Sequence, residues 1–223
     1  MSKRTVMVTK PIHLDALQKL QEEVHVLTPY QATADEVCGL LPQVQGIILG
    51  GVFQMGPSEL DLAANLEILG RHGVGLDNVD IPAASERCIP VAYTPYGPTE
   101  STAEHALALI LAVARRLAQM DQAVRGGSFQ IRDRLEVLGR ELDGMTLGVV
   151  GFGRIGQRLA EMCRDALHLE VRVYDPYLDS ETVAEWGAVQ VPDLVELAKG
   201  VDILSIHTPL TRATRQLIGR EVI

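Results

Sequence analysis

The chain has 223 residues, which at about 100–200 residues per domain means one large domain or two modest ones. Hydrophobic residues make up 47% and charged residues 22%, a globular composition that sets disorder aside. Twenty Lys and Arg against 29 Asp and Glu give a net charge of −9, the wrong sign for a surface that tracks phosphates; with only one Trp, five Tyr and three Phe there is also no base-stacking platform, so nucleic acid is not expected as a partner.

Cys38, Cys88 and Cys163 are odd in number, widely spaced and free of any C-x-x-C pair, so they read as reduced, mostly buried thiols of a cytoplasmic protein, with no metal expected. The N-terminal residues run straight into a strand pattern and contain no apolar stretch of signal-peptide length. The longest apolar run, Ala106 to Ala114, ends at Arg115-Arg116 and falls short of the ~20 residues of a membrane span, so no membrane is expected.

From the first residues, short β-branched runs alternate with helical patterns, as in a parallel α/β sheet. Strands are expected at Thr5–Thr9, Val24–Leu27, Gly46–Leu49, Glu67–Gly70 and Val91–Tyr93, and helices near Leu14–Glu23 and Thr33–Leu41, the second opened by capping-box spacing between Thr33 and Glu36. Pro95, Gly97 and Pro98 then mark a domain boundary, giving domains 1–98 and 99–223. Ser101 and Glu104 have capping-box spacing too, which predicts one long helix from Thr102 to Val124, closed by Gly126-Gly127. A polar stretch follows through Glu141. Four further strands are expected at Thr146–Val150, Glu170–Tyr174, Ala188–Val191 and Asp202–Ile206. The last is nearly continuous in apolar residues, as in a strand flanked by neighbours, yet the sequence ends soon afterwards at Ile223. A doubly wound dinucleotide-binding sheet has six strands in the order 3-2-1-4-5-6. A chain stopping after four is expected to expose strand 4 as an edge prone to aggregation.

Gly151-Phe-Gly-Arg-Ile-Gly156 follows a strand directly and opens a helix predicted from Gln157, the context that gives G-x-G-x-x-G its meaning. Gly151 permits the tight turn, Gly153 lets a pyrophosphate approach the backbone, and Gly156 lets the helix pack on the strand. The N–H groups of Arg154 and Ile155 then face phosphate oxygens at the positive end of the helix dipole. Asp175 follows the third glycine by about 20 residues, where a carboxylate accepts from the ribose hydroxyls and repels a 2′-phosphate. The expected cofactor is therefore NAD rather than NADP.

With these residues in view, the chain resembles the D-isomer-specific 2-hydroxyacid dehydrogenases. Four stretches carry the resemblance across essentially the whole chain: Gly70-Arg-His-Gly-Val-Gly-Leu-Asp-Asn-Val-Asp80, Thr94-Pro-Tyr-Gly-Pro-Thr-Glu-Ser-Thr-Ala-Glu-His105, Leu147-Gly-Val-Val-Gly-Phe-Gly-Arg-Ile-Gly156 and His207-Thr-Pro-Leu-Thr211. It implies a flavodoxin-like substrate domain followed by a doubly wound NAD-binding Rossmann domain, the latter incomplete with about four of six strands. It implies hydride transfer between NAD(H) and a small 2-hydroxy or 2-oxo acid, cofactor contacts at Thr208 and Pro209, a carboxylate-binding loop at Val74 and Gly75, and a homodimer formed through the cofactor domain. The family's catalytic Arg, Glu and His belong to Asn-x-x-Arg-Gly, Glu-Pro and Pro-His segments that do not occur in these 223 residues. Little or no dehydrogenase activity is therefore expected of them alone, because the proton that a reduced carbonyl needs has no assigned donor. The alternative is a catalytically inactive NAD-binding or regulatory module.

Other residues have ordinary readings. His207 is expected to line the cofactor cleft at a strand end, His105 to pack, and His72 to neighbour the carboxylate loop, where a smaller residue is expected. Asp77 and Asp80 read as turn and cap residues rather than metal ligands.

Overall fold

The computed structural model describes residues 3–128 and 138–223. Much of the polar stretch between Gly127 and Glu141 thus lies outside the described residues. The chain divides into two compact units, 1–98 and 99–223.

The first unit is a five-stranded parallel sheet ordered β2-β1-β3-β4-β5, formed by β1 (Thr5–Val8), β2 (His25–Leu27), β3 (Gly46–Leu49), β4 (Ile68–Arg71) and β5 (Val91–Tyr93). That is the flavodoxin order, with its reversal between β1 and β3. Thr33 and Glu36 form the expected reciprocal cap on α2 (Ala34–Leu40): Thr33 N–H donates to Glu36 Oε2 at 2.7 Å and Glu36 N–H to Thr33 Oγ1 at 3.3 Å. Helix α1 (Leu14–Glu23) lies where the sequence places it, whereas two short helices, α3 (Pro57–Leu62) and α4 (Ile81–Glu86), are not assigned from the sequence. Each has a start signal: Pro57 begins α3, and the Asp80 carboxylate accepts from Ala83 N–H at 2.9 Å as the cap of α4. Met7, Ile47, Leu49 and Leu69 are buried in the core of this unit.

The second unit opens differently from expectation. Helix α5 (Thr99–Ala114) begins before Ser101 and Glu104, so both lie inside it and no capping box starts there. It is also not continuous with α6 (Leu117–Arg125), because Arg116 is left-handed at φ 52°. In an unbroken helix the Ala114 carbonyl would accept from residue 118; here it accepts from Arg140 N–H at 2.8 Å. A Cβ added to Gly139 would stand 2.9 Å from that carbonyl, so returning backbone seals the end of α5.

The sheet of this unit is parallel and ordered β8-β7-β6-β9, from β6 (Thr146–Val150), β7 (Glu170–Tyr174), β8 (Val189–Gln190) and β9 (Ile203–Ile206). This is the 3-2-1-4 half of the doubly wound order. Leu147 and Val149 pack with Ala103 and with Leu159 and Ala160 of α7 (Arg154–Leu167), while Val150 packs with Leu194 and Leu197 of α9 (Leu194–Lys199). Successive residues of β6 thus bury opposite faces. Helix α8 (Ser180–Glu185) and α9 are capped by Asp179 and Asp193, signals the sequence reading passed over. Among the described residues β9 pairs only with β6, and Ile206 is 50% exposed. Of the cysteines only Cys163 is buried; Cys88 is exposed at φ 55°, which corrects the expectation of mostly buried thiols. No helix among the described residues is long and apolar enough to cross a membrane.

Candidate functional site

The Gly151–Gly156 turn joins the end of β6 to α7, which starts at Arg154, earlier than the expected Gln157, with Gly153 as its cap. The N–H groups of Arg154, Ile155 and Gly156 therefore occupy the first helical turn, where no intrahelical acceptor exists. Gly151 has φ +87°, a conformation costly for any other residue, and a Cβ there would lie 2.8 Å from Thr208 Cγ2 and 3.0 Å from the His207 carbonyl carbon. The glycine turn and the loop after β9 are thus in contact, bringing Thr208 to the turn, with Pro209 next along that loop. The Pro209 carbonyl accepts from Thr214 Oγ1. A Cβ at Gly156 would stand 2.4 Å from the Gly151 carbonyl oxygen, so helix and turn are as close as two backbones allow. A Cβ at Gly153 would meet nothing within 4 Å. The turn is open beside Gly153, and a helix N-terminus of this kind suits a pyrophosphate.

Asp175 directly follows β7. Its Oδ2 accepts from Phe152 N–H at 2.8 Å and its Oδ1 from Tyr177 N–H at 3.0 Å, fixing the carboxylate beside the turn. The Phe152–Asp175 bond was not foreseen; only the coincidence of strand ends in register signals it. Arg172, the nearest cation before Asp175 in the chain, donates to the Gly200 carbonyl at 3.1 Å, in the loop preceding β9. On the other flank, His207 N–H donates to the Val150 carbonyl at 2.8 Å, and its ring shares a 2.8 Å hydrogen bond with Ser205 Oγ. Burial pushes the His207 pKa below its ordinary value, so the ring is neutral at neutral pH.

A family model for the NAD binding domain of D-isomer specific 2-hydroxyacid dehydrogenases matches residues 107–223. The chain is 34% identical over 225 residues to the hydroxypyruvate reductase of Thermotoga maritima, covering 100% of this chain and 71% of that one. The chain belongs to the D-isomer specific 2-hydroxyacid dehydrogenase family. It is 38% identical over 218 residues to the D-3-phosphoglycerate dehydrogenase of Archaeoglobus fulgidus, covering 96% of this chain but 40% of that relative. It thus spans well under two thirds of such curated relatives. Among solved structures it is similar to D-lactate dehydrogenase from Aquifex aeolicus complexed with NAD and lactic acid (TM-score 0.82, 28% identity, 98% of this chain and 64% of that one). It is also similar to D-mandelate dehydrogenase from Rhodotorula graminis (TM-score 0.83, 27% identity, 100% and 70%). The four-stranded unit is accordingly this family's NAD-binding Rossmann domain.

In the first unit, Val74 and Gly75 lie in the loop after β4. Gly73 N–H donates to Thr94 Oγ1 at 3.0 Å and the Gly73 carbonyl accepts from Thr94 N–H at 3.2 Å. The Val74 and Gly75 N–H groups donate to no described residue. His72 is exposed, and its carbonyl accepts from Arg71 at 2.6 Å. Sequence reasoning passed over Arg71 and Thr94, although each ends a strand adjoining the loop.

Proposed function

We propose that the chain provides the NAD(H)-binding and substrate-carboxylate-binding parts of an NAD-dependent 2-hydroxyacid dehydrogenase acting on a small 2-hydroxy or 2-oxo acid. What carries the cofactor half of this reading is the glycine turn, open beside Gly153 at the start of α7, with a carboxylate fixed alongside. In it, Gly151, Gly153, Arg154, Ile155 and Gly156 receive the pyrophosphate, Asp175 accepts from the adenosine ribose hydroxyls, and Thr208 and Pro209 border the cofactor. Once bound, NAD supplies or accepts the hydride. Asp175 disfavours a 2′-phosphate by like charge, and Arg172, held by Gly200, brings no compensating cation, so NAD is preferred over NADP. Residues 1–98 form the substrate domain, in which the Val74 and Gly75 N–H groups hold the substrate carboxylate; backbone donors in a loop of small residues suit an anion.

The protein is read as cytoplasmic on its unpaired thiols and as a homodimer on the exposed apolar side chains Leu109 and Val113 of α5 and Leu117 and Val124 of α6. The test of cofactor binding is the thermal midpoint of residues 1–223 with NADH and with NADPH. At a hundredfold excess over Kd, a competent site gains about 2.7 kcal/mol with NADH, and less with NADPH at the same concentration. An unmoved midpoint with both nucleotides refutes the reading.

A further inference from the structure

We propose that Arg71 is a positioning residue whose guanidinium is the internal strut of the 72–75 loop, holding it in its anion-receiving form and setting a positive charge behind it. This rests on reading that loop as the substrate-carboxylate site. Arg71 is the last residue of β4, and its side chain folds back under the loop that follows. Its Nε donates to the Gly75 carbonyl at 3.0 Å, and its Nη1 to the His72 carbonyl at 2.6 Å and the Leu49 carbonyl at 3.4 Å. The loop is wrapped closely around it: a Cβ on Gly73 would lie 2.9 Å from Nη1 and 3.1 Å from Cζ, and Gly73 has φ +153°. Glycine is favoured there by the backbone angle, and any side chain would also displace the guanidinium.

In a planar trans peptide the carbonyl and the following N–H point in opposite directions, so pinning a carbonyl aims the next N–H. Thr94 N–H pins the Gly73 carbonyl and so aims the Val74 N–H, while Arg71 pins the His72 and Gly75 carbonyls and so fixes the peptides on either side of the 73–75 stretch; the peptide between Val74 and Gly75 is confined because both of its neighbours are held. Gly73 N–H is shared between Thr94 Oγ1 and the Arg71 carbonyl, whereas those of Val74 and Gly75 have no described acceptor. Arg71 forms no ion pair with a carboxylate among the described residues; its donors go to neutral carbonyls, which leave its charge uncancelled to offset the Asp77 carboxylate, whose Oδ1 would lie 2.7 Å from a Cβ at Gly75, and to attract an incoming anion. A lysine would keep the charge but lose the planar fork that reaches two carbonyls at once.

The experiment follows backbone amide resonances of the 223-residue chain during titration with pyruvate, for wild type, Arg71→Met and Arg71→Lys, together with heteronuclear NOEs without ligand. In the wild type, the Val74 and Gly75 resonances should shift saturably. In Arg71→Met the midpoint should rise about tenfold or more, and residues 72–75 should show added fast motion, while β4 and β5 resonances stay in place. Arg71→Lys should recover part of the affinity but not the loop order. A wild-type midpoint and wild-type NOEs in Arg71→Met would overturn the strut and leave the carboxylate reading standing. A wild type silent at Val74 and Gly75 overturns the carboxylate reading, and the role of Arg71 falls with it.

Discussion

The second and third glycines of the turn should fail in different ways when replaced by alanine. At Gly156 the added methyl would sit 2.4 Å from the Gly151 carbonyl oxygen and 3.1 Å from Val149 Cγ1. A carbon–oxygen approach settles near 3.3 Å or beyond, so α7 must retreat by about 1 Å from a turn held on one side by the end of β7 and on the other by the loop after β9. Overpacking of this kind costs about 1–3 kcal/mol, partly offset by up to about 1 kcal/mol from the better helix propensity of alanine. The net loss of about 1–2 kcal/mol corresponds to a drop in thermal midpoint of roughly 3–10 °C, with weakened NADH binding. At Gly153 the methyl meets nothing within 4 Å, and φ −76° is open to any residue. Gly153→Ala should therefore lose only about 0.5–1 kcal/mol through the poorer cap, yet bind NADH ten- to a hundredfold more weakly, since the methyl stands where the pyrophosphate must come. Scanning fluorimetry and NADH fluorescence titration on the same samples separate the two effects. A Gly153→Ala protein that binds NADH like wild type refutes the placement of the pyrophosphate. An unchanged midpoint in Gly156→Ala refutes the packing argument; the fingerprint itself tolerates alanine at that position, so the distance alone carries it.

Three other consequences follow from contacts already described. Asp175→Asn keeps the side-chain shape but turns one acceptor into a donor, so the amide can serve only one of the Phe152 and Tyr177 N–H groups; the expected loss is about 1 kcal/mol of stability and about tenfold or more in NADH affinity, read by titration calorimetry, and unaltered affinity would remove Asp175 from the site. Because burial holds His207 below its ordinary value of 6.5, the unfolded chain takes up the proton first, and stability should fall as pH drops below about 6.5. Glu36 and Glu100, lowered by their hydrogen bonds from 4.5, lose stability in the same sense as pH falls but only around and below that value, so a decline between pH 6.5 and 5 that persists in His207→Asn would assign it elsewhere. Ile206, half exposed on an edge strand, should promote self-association of residues 1–223, and Ile206→Lys should reduce it in sedimentation velocity runs; equal behaviour of the two proteins would refute the edge as the cause.

What could be read from the sequence follows the range of the interactions involved. The strands of both sheets were legible because their β-branched runs are local, and Thr33 with Glu36 was legible because a capping box is complete within four residues. Ser101 and Glu104 have the same spacing yet lie inside α5, since the helix start is fixed by backbone entering at Thr99. The break at Arg116 was illegible because its cause, Arg140 N–H on the Ala114 carbonyl, comes from far along the chain. Arg115-Arg116 looks locally like an ordinary stretch of helix, and nothing within a turn distinguishes it.

The site divides along the same line. The glycine fingerprint is a local motif whose roles for Gly151, Gly153 and Gly156 are each matched by a distance or an angle: a left-handed φ, an open space and a 2.4 Å approach. The fixing of Asp175 by Phe152 and the contact of Gly151 with Thr208 depend on β7, β6 and β9 ending together, which register decides and composition does not. In the first unit a run of small residues betrays the carboxylate loop, but its shape comes from two residues at neighbouring strand ends, Arg71 and Thr94. Binding chemistry written on backbone N–H groups leaves little trace in side-chain identity, so its legible mark is glycine, and the residues that aim the backbone become visible only once the sheet has assembled.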